Sequence, residues 1–380
     1  MRHHNSVFHD LLKRVPWARF ARQVDAHGAD KHVQRLSTKD QLIALLYGQL
    51  AGASSLREIV GGLQSHCARL YHVGGRPVSR STLSDANAKR SSAVFSDLFT
   101  SLVGMAQRGL RQKLDEATYL IDASPLALSG AGSQWAYFSS KASGAKLHLI
   151  YDADAACPIY ACITAAKVSD IKVAQEMPIE AGATYVFDLG YYDYAWWARL
   201  DTEGCRIVTR FKSHTPLIEP IEQAAPQNSD ILSDRVGLLP KRQRRSGKNP
   251  FSKPVREITV RIETGKVLRI LSNDLEASAR EIADLYKRRW AIELFFRWVK
   301  QNLKIRHFLG NSENAVRIQI AVALIAYLLI HLAKADQKAI KSSLAFARLL
   351  RSNLMHRKRI DRLLKPEPNR PESQNQMAFI

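Results

Sequence analysis

The sequence predicts an α/β fold in which a strand-rich middle lies between two helical regions. Residues 1–112 carry apolar side chains at three-to-four spacing, which is the helical period. From residue 117 the pattern changes to short apolar runs and alternation, the period of strands, and after Asn273 it is helical again to about residue 360. At 380 residues the chain can bury one large core or two to three smaller ones.

Helix-start signals predict at least three helices in the first region. Ser37 precedes one helix, Ser55 and Glu58 form a capping-box pattern before a second, and a third begins near Ser79. The third carries polar residues that fit either a DNA-reading helix or a solvated face, and the loop at 66–78 is too long for a compact helix-turn-helix. These residues are Arg80, Ser81, Asn87, Lys89 and Arg90.

The middle region begins with strands at 118–122, 146–154 and 158–166, of which the last two form a predicted hairpin. A helix follows from Ser169, and the strand at 184–190 comes next. Asp122 and Asp188 each end an apolar strand, where a sheet presents polar side chains to a cleft. An aspartate in that position also serves ordinary turn chemistry, so both interpretations stay open.

Residues 205–272 alternate again and predict a β-rich insertion. The segment KRQRRSGK at 241–248 lies within it between Pro240 and Pro250, which predicts an exposed, mobile loop. This loop is either solvated or tracks a DNA backbone through its five cations, which are Lys241, Arg242, Arg244, Arg245 and Lys248. The predicted division of the chain is 1–112, 113–204, 205–274, 275–335 and 336–380, the last being a helix and a disordered tail.

Composition narrows the class of protein without naming a fold. Lysine and arginine number 56 against 35 acidic residues, a net charge of +21, which favours a polyanionic partner but does not distinguish nucleic acid from a membrane surface. The four cysteines show no zinc-finger spacing and are expected to be free thiols in a reducing compartment. Residues 1–10 lack the apolar core of a signal peptide, and the apolar run Ile320 to Ile330 is shorter than the roughly 20 residues that span a bilayer. We therefore expect a cytoplasmic protein in which that run is a buried helix.

The segment 285–305 holds the strongest chemical signal. Four of its polar residues fall in a helical stripe about 60° wide at about 100° per residue, and they are Tyr286, Arg289, Glu293 and Lys300. Beside them an apolar face is expected to be buried, formed by Leu285, Ile292, Phe296, Val299 and Leu303. The alternative is an exposed amphipathic helix in which Arg289 and Glu293 make an ordinary i,i+4 ion pair.

The spacing Tyr286-x2-Arg289-x3-Glu293-x6-Lys300 resembles the YREK signature of transposases of the insertion-sequence-4 family. That resemblance covers roughly residues 115–330 and implies a ribonuclease-H-like catalytic core with a β-rich insertion, an N-terminal helical DNA-binding domain and C-terminal helices. It also implies a DDE transposase whose acidic triad is Asp122, Asp188 and Glu293. Such an enzyme cuts double-stranded DNA at the element's terminal repeats and transfers the strand to target DNA. Members act as dimers on DNA, in the bacterial cytoplasm at the nucleoid.

The proposed chemistry explains why three carboxylates are needed. In-line hydrolysis of a phosphodiester uses two metal ions about 4 Å apart, and Mg²⁺ prefers carboxylate oxygens. We expect Asp122 to bridge two Mg²⁺ ions, which Mn²⁺ can replace, and Asp188 and Glu293 to bind one each. The resemblance implies that Tyr286, Arg289 and Lys300 contact DNA phosphates near the cut.

Other residues leave alternatives open. Trp290 either stacks on an unpaired base or belongs to the core. Lys146 and His148 share one face of their strand, and that face points either to the cleft or to the core. A hydrogen-bonded core histidine is the default interpretation for His148. Trp196 and Trp197 are expected to serve packing. A non-catalytic DNA-binding regulator and a structure-specific nuclease are the rival functions, because the basic surface serves the first and the triad serves the second.

Overall fold

The computed structural model describes residues 5–110, 117–128, 135–139, 142–224, 229–243, 247–303, 305, 307–337, 339–340 and 342–363. Its N-terminal part is helical, with α1 Val7–Leu12, α2 Trp17–Ala26, α3 Thr38–Ala51, α4 Leu56–Ser65, α5 Cys67–Leu70, α6 Arg80–Lys89 and α7 Ala93–Leu110. The first strands and helices of the middle are β1 Thr118–Leu128, β2 Tyr137–Ser139, β3 Ala142–Asp152, β4 Cys157–Ala165, α8 Asp170–Glu176, β5 Thr184–Phe187 and α9 Tyr194–Thr202.

The remaining strands are β6 Arg206–Arg210, β7 Ile218–Glu222, β8 Ile231–Leu238, β9 Arg242–Gln243, β10 Gly247–Lys248, β11 Val255–Arg261 and β12 Val267–Ser272. The helices after them are α10 Ala279–Arg288, α11 Trp290–Asn302, α12 Glu313–Ala335 and α13 Ser343–Asn353. The mixture of a large sheet and helices confirms the predicted α/β class. The tail of the predicted last segment, from residue 364 onward, lies outside the described residues.

Serine caps start the helices where the sequence predicts them. The hydroxyls of Ser37, Ser55 and Ser79 each accept a hydrogen bond from the backbone N–H three residues later, at the N-termini of α3, α4 and α6. Each bond satisfies one of the N–H groups that a helix leaves unpaired at its start. The three predicted helix starts are confirmed.

Part of the predicted polar face of α6 is wrong. Arg80, Ser81 and Lys89 are exposed, but Asn87 is buried and its side-chain oxygen accepts a hydrogen bond from Gln41 at 2.8 Å. Arg90 donates to the side chain of Gln41 at 2.9 Å and also to the backbone of Leu36. These two residues connect the end of α6 to α3 and to the residue Leu36 before it, because buried polar groups pair with one another when water is excluded.

One sheet runs through the middle of the molecule in the order β2-β3-β1-β5-β6-β12-β11-β8-β7, with β4 paired to β3. The predicted hairpin is confirmed, since β3 and β4 are antiparallel. β1, β5 and β6 are parallel to one another, and β12 pairs antiparallel with β6. The strands of residues 205–272 therefore continue this sheet, apart from the small β9–β10 pair.

The position of Asp122 in its strand differs from the prediction. β1 does not end there but continues to Leu128, because its antiparallel pairing with β3 extends that far. Its pairing with β5 covers Thr118 to Leu120 alone. Asp122 thus lies just past the point where β1 loses its neighbour on one side, which opens a gap in the sheet. Asp188 follows β5 directly, as predicted.

Alternation along the strands divides the buried side chains between two cores. Leu120, Val186 and Val208 pack with the helical layer that contains α12, while the aromatic core on the other face holds residues such as Tyr185 and Trp197. Trp196 is buried with Trp197, which confirms that this pair serves packing. Asp122 has the strand parity of Leu120 and so faces the helical layer, where α11 lies against β1.

Helix α12 is the centre of the helical layer. It contacts α3, α6 and α7 from the N-terminal part as well as α11 and α13, so these elements share one core. Among the described residues it is the one helix long and apolar enough to cross a membrane, and it is mostly buried within the protein. The prediction of a buried helix at Ile320 to Ile330 is confirmed.

The far half of the sheet contains buried ion pairs. Asp234 on β8 and Arg256 on β11 form two hydrogen bonds of 2.8 and 2.6 Å in a fork geometry. Glu257 is fully buried and pairs with Arg235 at 3.1 Å and Arg269 at 2.5 Å. These pairs link β8, β11 and β12 through side chains as well as through the backbone ladder.

Candidate active site

Three acidic residues from distant parts of the chain meet beside the gap next to β1. Asp122 comes from β1, Asp188 from the turn after β5, and Glu293 from the first turn of α11. Burial raises the pKa of Asp122 to about 6, and the charges of Asp188 and Glu293 act in the same direction against a hydrogen bond from Ala123 and the charge of Arg289. Asp188 and Glu293 are therefore both close enough to Asp122 for their charges to act on it, as members of one site do.

Asp188 has a turn role and a place in this site at once. Its Oδ1 accepts a hydrogen bond of 2.8 Å from the backbone N–H of Gly190 and so caps the short 3-10 turn that follows. Thr209 on the neighbouring strand donates to its backbone oxygen at 3.5 Å. Asp188 therefore does stabilise a turn, as one of the two interpretations predicted. The same hydrogen bond holds its carboxylate where its charge acts on Asp122.

The signature segment is not one continuous helix as predicted. α10 ends at Arg288 and α11 begins at Trp290, so Arg289 occupies the junction. Its guanidinium bonds Glu293 Oε1 at 2.5 Å and lies 4.0 Å from Asp122 Oδ2. The side chain of Arg289 is 16% exposed. An exposed surface ion pair is therefore the wrong description, because the pair lies within the acidic site.

The apolar face beside the stripe is buried as predicted, at Leu285, Ile292, Phe296, Val299 and Leu303. Tyr286 is buried too, with the Arg289 guanidinium 5.7 Å from the centre of its ring. Lys300 donates a 2.9 Å hydrogen bond to the backbone oxygen of Pro125 and so ties α11 to β1. Trp290 is 49% exposed, so the core interpretation for this residue is wrong.

Lys146 and His148 lie on β3 near the site but differ in role. His148 is fully buried, and its Nε2 is 2.8 Å from the hydroxyl of Thr164. Burial lowers its pKa to about 4, so the ring is neutral near pH 7, as expected of a hydrogen-bonded core histidine. Lys146 donates to Asp170 at 2.7 Å. Asp170 lies close to Gly190 and Asp188, and Tyr191 is close enough to Asp122, Asp170 and Asp188 for their charges to act on it. The sequence did not predict either residue, because Asp170 has the pattern of a helix start and Tyr191 that of a core aromatic.

The basic segment is exposed where the structure describes it. Lys241, Arg242 and Lys248 are exposed and line a cleft of about 650 Å³ together with Leu239 and Phe251. Arg244 and Arg245 lie outside the described residues. All four cysteines lie in the described residues, and none of them forms a disulfide, as predicted.

The donor chemistry of the acidic site fits an oxygen-preferring divalent cation. Carboxylate oxygens are the protein ligands that such ions favour. Burial raises the pKa of Asp122, the charges of Asp188 and Glu293 raise it further, and a cation would stabilise the charged form of this carboxylate. Among the described residues, no three His, Cys, Asp or Glu side chains already surround one point as ligands. Arg289 supplies the positive charge in this arrangement.

The sequence matches two protein families and several transposases. Residues 113–329 match the family described as "Transposase DDE domain", and residues 3–76 match the one described as "Domain of unknown function (DUF4372)". The chain is 38% identical over 307 residues to a putative transposase, y4zB, of Sinorhizobium fredii, which covers 78% of this chain and 85% of the relative. It is 28% identical over 259 residues to a probable transposase for the insertion sequence element IS5377 of Geobacillus stearothermophilus, covering 67% of each.

Among solved structures, a cryo-EM structure of the piggyBac transposase synaptic complex with hairpin DNA matches with a TM-score of 0.45 and 12% identity. That match covers 95% of this chain and 82% of the other.

Proposed function

Since this chain belongs to the DDE-domain transposase family, we propose that it cuts double-stranded DNA at the ends of an insertion sequence and joins those ends to target DNA. The catalytic triad is Asp122, Asp188 and Glu293. The observation that carries the proposal is the position of Arg289, which bonds Glu293 at 2.5 Å and lies 4.0 Å from Asp122, while the charge of Asp188 also acts on Asp122.

We further propose that the catalytic core is ribonuclease-H-like and that the chain is of the insertion-sequence-4 type. The strand order β4-β3-β1-β5-β6 supports the first point, with an antiparallel hairpin followed by parallel β1, β5 and β6. The strands after β6 take the place of the insertion. The spacing of Tyr286, Arg289, Glu293 and Lys300 supports the second point.

The site is proposed to hold two Mg²⁺ ions, with Asp122 as the shared ligand and Asp188 and Glu293 as ligands of one ion each. When bound, the ions activate the attacking oxygen and stabilise the leaving oxygen of the phosphodiester. Asp122 and Asp188 are already held, by the backbone N–H groups of Ala123 and Gly190 respectively. Glu293 would be free to hold an ion once its bond to Arg289 is released.

Arg289 has a second partner available once DNA is bound. A guanidinium binds phosphate in the same bidentate way that it binds carboxylate, so a phosphate near the cut competes with Glu293 for it. DNA binding then frees Glu293 at the moment when substrate is present. Tyr286 and Lys300 are proposed to contact neighbouring phosphates.

Trp290 is proposed to stack on an unpaired base at the DNA end. Its ring is half exposed, and Arg297 lies 5.7 Å from the ring centre on the solvent side of α11. An exposed aromatic ring beside a cation is a surface on which bases stack. The exposed residues of α6 and the basic segment 241–248 are proposed to contact the DNA backbone, and two copies of the chain are proposed to act together on DNA in the bacterial cytoplasm.

One assay distinguishes this function from its two rivals. We expect purified protein, incubated with a plasmid that carries the element ends and a second target plasmid, to release the ends and join them to the target when Mg²⁺ or Mn²⁺ is added. Cutting without joining would indicate a structure-specific nuclease. A shift of the DNA in a gel without any cutting would indicate a regulator.

The basic segment gives a prediction about salt dependence. Replacing Lys241, Arg242, Arg244, Arg245 and Lys248 by alanine is expected to flatten the plot of log affinity against log salt by about 2 to 4 units, because each lost phosphate contact removes about 0.9. Binding should fall alike for all DNA sequences. The measurement is a salt titration of end-DNA binding. A triple variant at Lys241, Arg242 and Lys248 shows how much of the change in slope comes from these three residues. Equal slopes for wild type and the fivefold variant would show that the segment makes no phosphate contact.

A further inference from the structure

We propose that Asp170, held in place by Lys146, is a fourth acidic residue of this site, which positions water on the cation bound by Asp122 and Asp188. Tyr191 is its companion and donates a hydrogen bond to the same water. The proposal rests on the proposed function, because it concerns the cation that the triad is expected to bind. It assigns positioning roles to both residues, since neither is proposed to touch the DNA.

The backbone at Gly190 brings Asp170 and Asp188 together. A Cβ atom added at Gly190 would lie 3.0 Å from Oδ1 of Asp188 and 3.5 Å from Oδ2 of Asp170. Both carboxylates therefore approach the same small space, which glycine leaves open. A fourth carboxylate thus stands next to a residue of the triad although it comes from a separate element, α8.

The two oxygens of Asp170 face different surroundings. Oδ1 accepts a 2.7 Å hydrogen bond from Lys146 Nζ and lies 3.7 Å from Nδ1 of His148. Lys146 also donates to the backbone oxygen of Val168 at 3.0 Å, which fixes its position. Oδ2 is the oxygen near Gly190. Lys146 therefore orients the carboxylate so that its second oxygen lies on the side of Gly190 and Asp188.

Tyr191 provides an independent sign that something is bound here. Its side chain is 1% exposed, and its hydroxyl is buried with no hydrogen-bond partner in the described part of the chain. Asp122, Asp170 and Asp188 all act on it electrostatically. Buried hydroxyls are nearly always hydrogen-bonded, to ordered water if not to protein. A water among these carboxylates gives the Tyr191 hydroxyl a partner, and that water is well placed to bind a cation.

The competing interpretation is that the Lys146–Asp170 pair only anchors α8 to β3. The protein contains a matched pair for comparison, since Lys253 bonds Asp201 on α9 at the same 2.7 Å distance. Asp201 belongs to no part of the proposed site, and its partners are Lys253 and Asn273. If the Lys146–Asp170 pair only anchors α8, neutralising Asp170 should lower stability as neutralising Asp201 does. Neither change should then affect cation binding.

The test measures Mn²⁺ binding to the full chain by isothermal titration calorimetry, together with thermal unfolding. Asp170→Asn is expected to weaken Mn²⁺ binding about 10- to 100-fold, as loss of a group that orients metal ligands does. Asp201→Asn should leave Mn²⁺ binding unchanged. Tyr191→Phe, which keeps the packing of the ring, should weaken it by a smaller factor. In cleavage assays the Mg²⁺ concentration for half-maximal rate should rise for Asp170→Asn more than the maximal rate falls.

Two outcomes would overturn the proposal and separate its failure from that of the triad. If wild type binds Mn²⁺, Asp122→Asn does not, and both Asp170→Asn and Tyr191→Phe bind as wild type does, the fourth acid is wrong while the triad stands. If wild type and Asp122→Asn bind Mn²⁺ equally, the cation site itself is wrong and Asp170 has no role in it.

Discussion

Replacing any one of Asp122, Asp188 and Glu293 by its amide is expected to lower the rate of Mg²⁺-dependent DNA cleavage by at least about 1,000-fold, equivalent to about 4 kcal/mol of activation free energy. Each carboxylate is proposed as a ligand of at least one ion, and an amide supplies a neutral oxygen where the site needs a charged one. DNA binding in gel shifts should persist, because the phosphate contacts are made by other residues. Near-normal cleavage by one variant would remove that residue from the triad.

Asp122→Asn carries its own control for folding. The pKa of Asp122 is about 6 in the folded protein and 3.8 in the reference state, so the folded state binds more protons between those values. The free energy of unfolding therefore falls as pH rises through this window. The cation-free Asn variant should lose that dependence and be more stable than wild type at pH 7, by on the order of 1–3 kcal/mol. Urea unfolding at pH 4 and pH 7 measures the free energy of unfolding of both proteins. A variant less stable than wild type at pH 7 would show that the charged carboxylate of Asp122 does not destabilise the folded state.

The largest expected effect on stability lies far from the active site, in the buried pair of Asp234 and Arg256. Asp234→Ala is expected to lower the free energy of unfolding by about 3–5 kcal/mol, because it leaves the guanidinium of Arg256 buried without its counter-charge. Changing both residues at once, Asp234→Leu with Arg256→Met, should cost much less than the single change. Removing both charges leaves no unpaired ion.

Urea unfolding at constant pH measures both variants. The exposed pair of Arg280 and Asp230 in the same region is the matched control, and Asp230→Ala should change stability little because water solvates the remaining charge. A similar small loss for Asp234→Ala would mean that water reaches Arg256 in the variant.

The parts of the fold that were predictable from the sequence are those set by local pattern. Serine caps at Ser37, Ser55 and Ser79 fixed three helix starts, and the alternation in 146–166 identified the β3–β4 hairpin. The buried face of the signature segment followed from its periodicity. These features depend on residues close together in sequence, where propensity and pattern are strongest.

What could not be predicted depends on contacts between distant segments. The length of β1 is set by its pairing with β3, so Asp122 lies within a strand and not at its end. Asn87 is buried because Gln41 is there to pair with it. Asp170 becomes part of the site because Gly190, 20 positions later in the sequence, leaves room for its carboxylate.

The core shared by the N-terminal helices and α12 bears on how this protein is made and on what its fragments can do. The first helix also hydrogen-bonds the far end of the described chain, with Val7 and Phe8 donating to the backbone of His356 and Leu354. The earliest helices to leave the ribosome therefore complete their packing only after the last ones have been synthesised. We expect a fragment that ends before α12 to expose the apolar faces that α3, α6 and α7 bury against that helix, and so to be a substrate for chaperones and proteases.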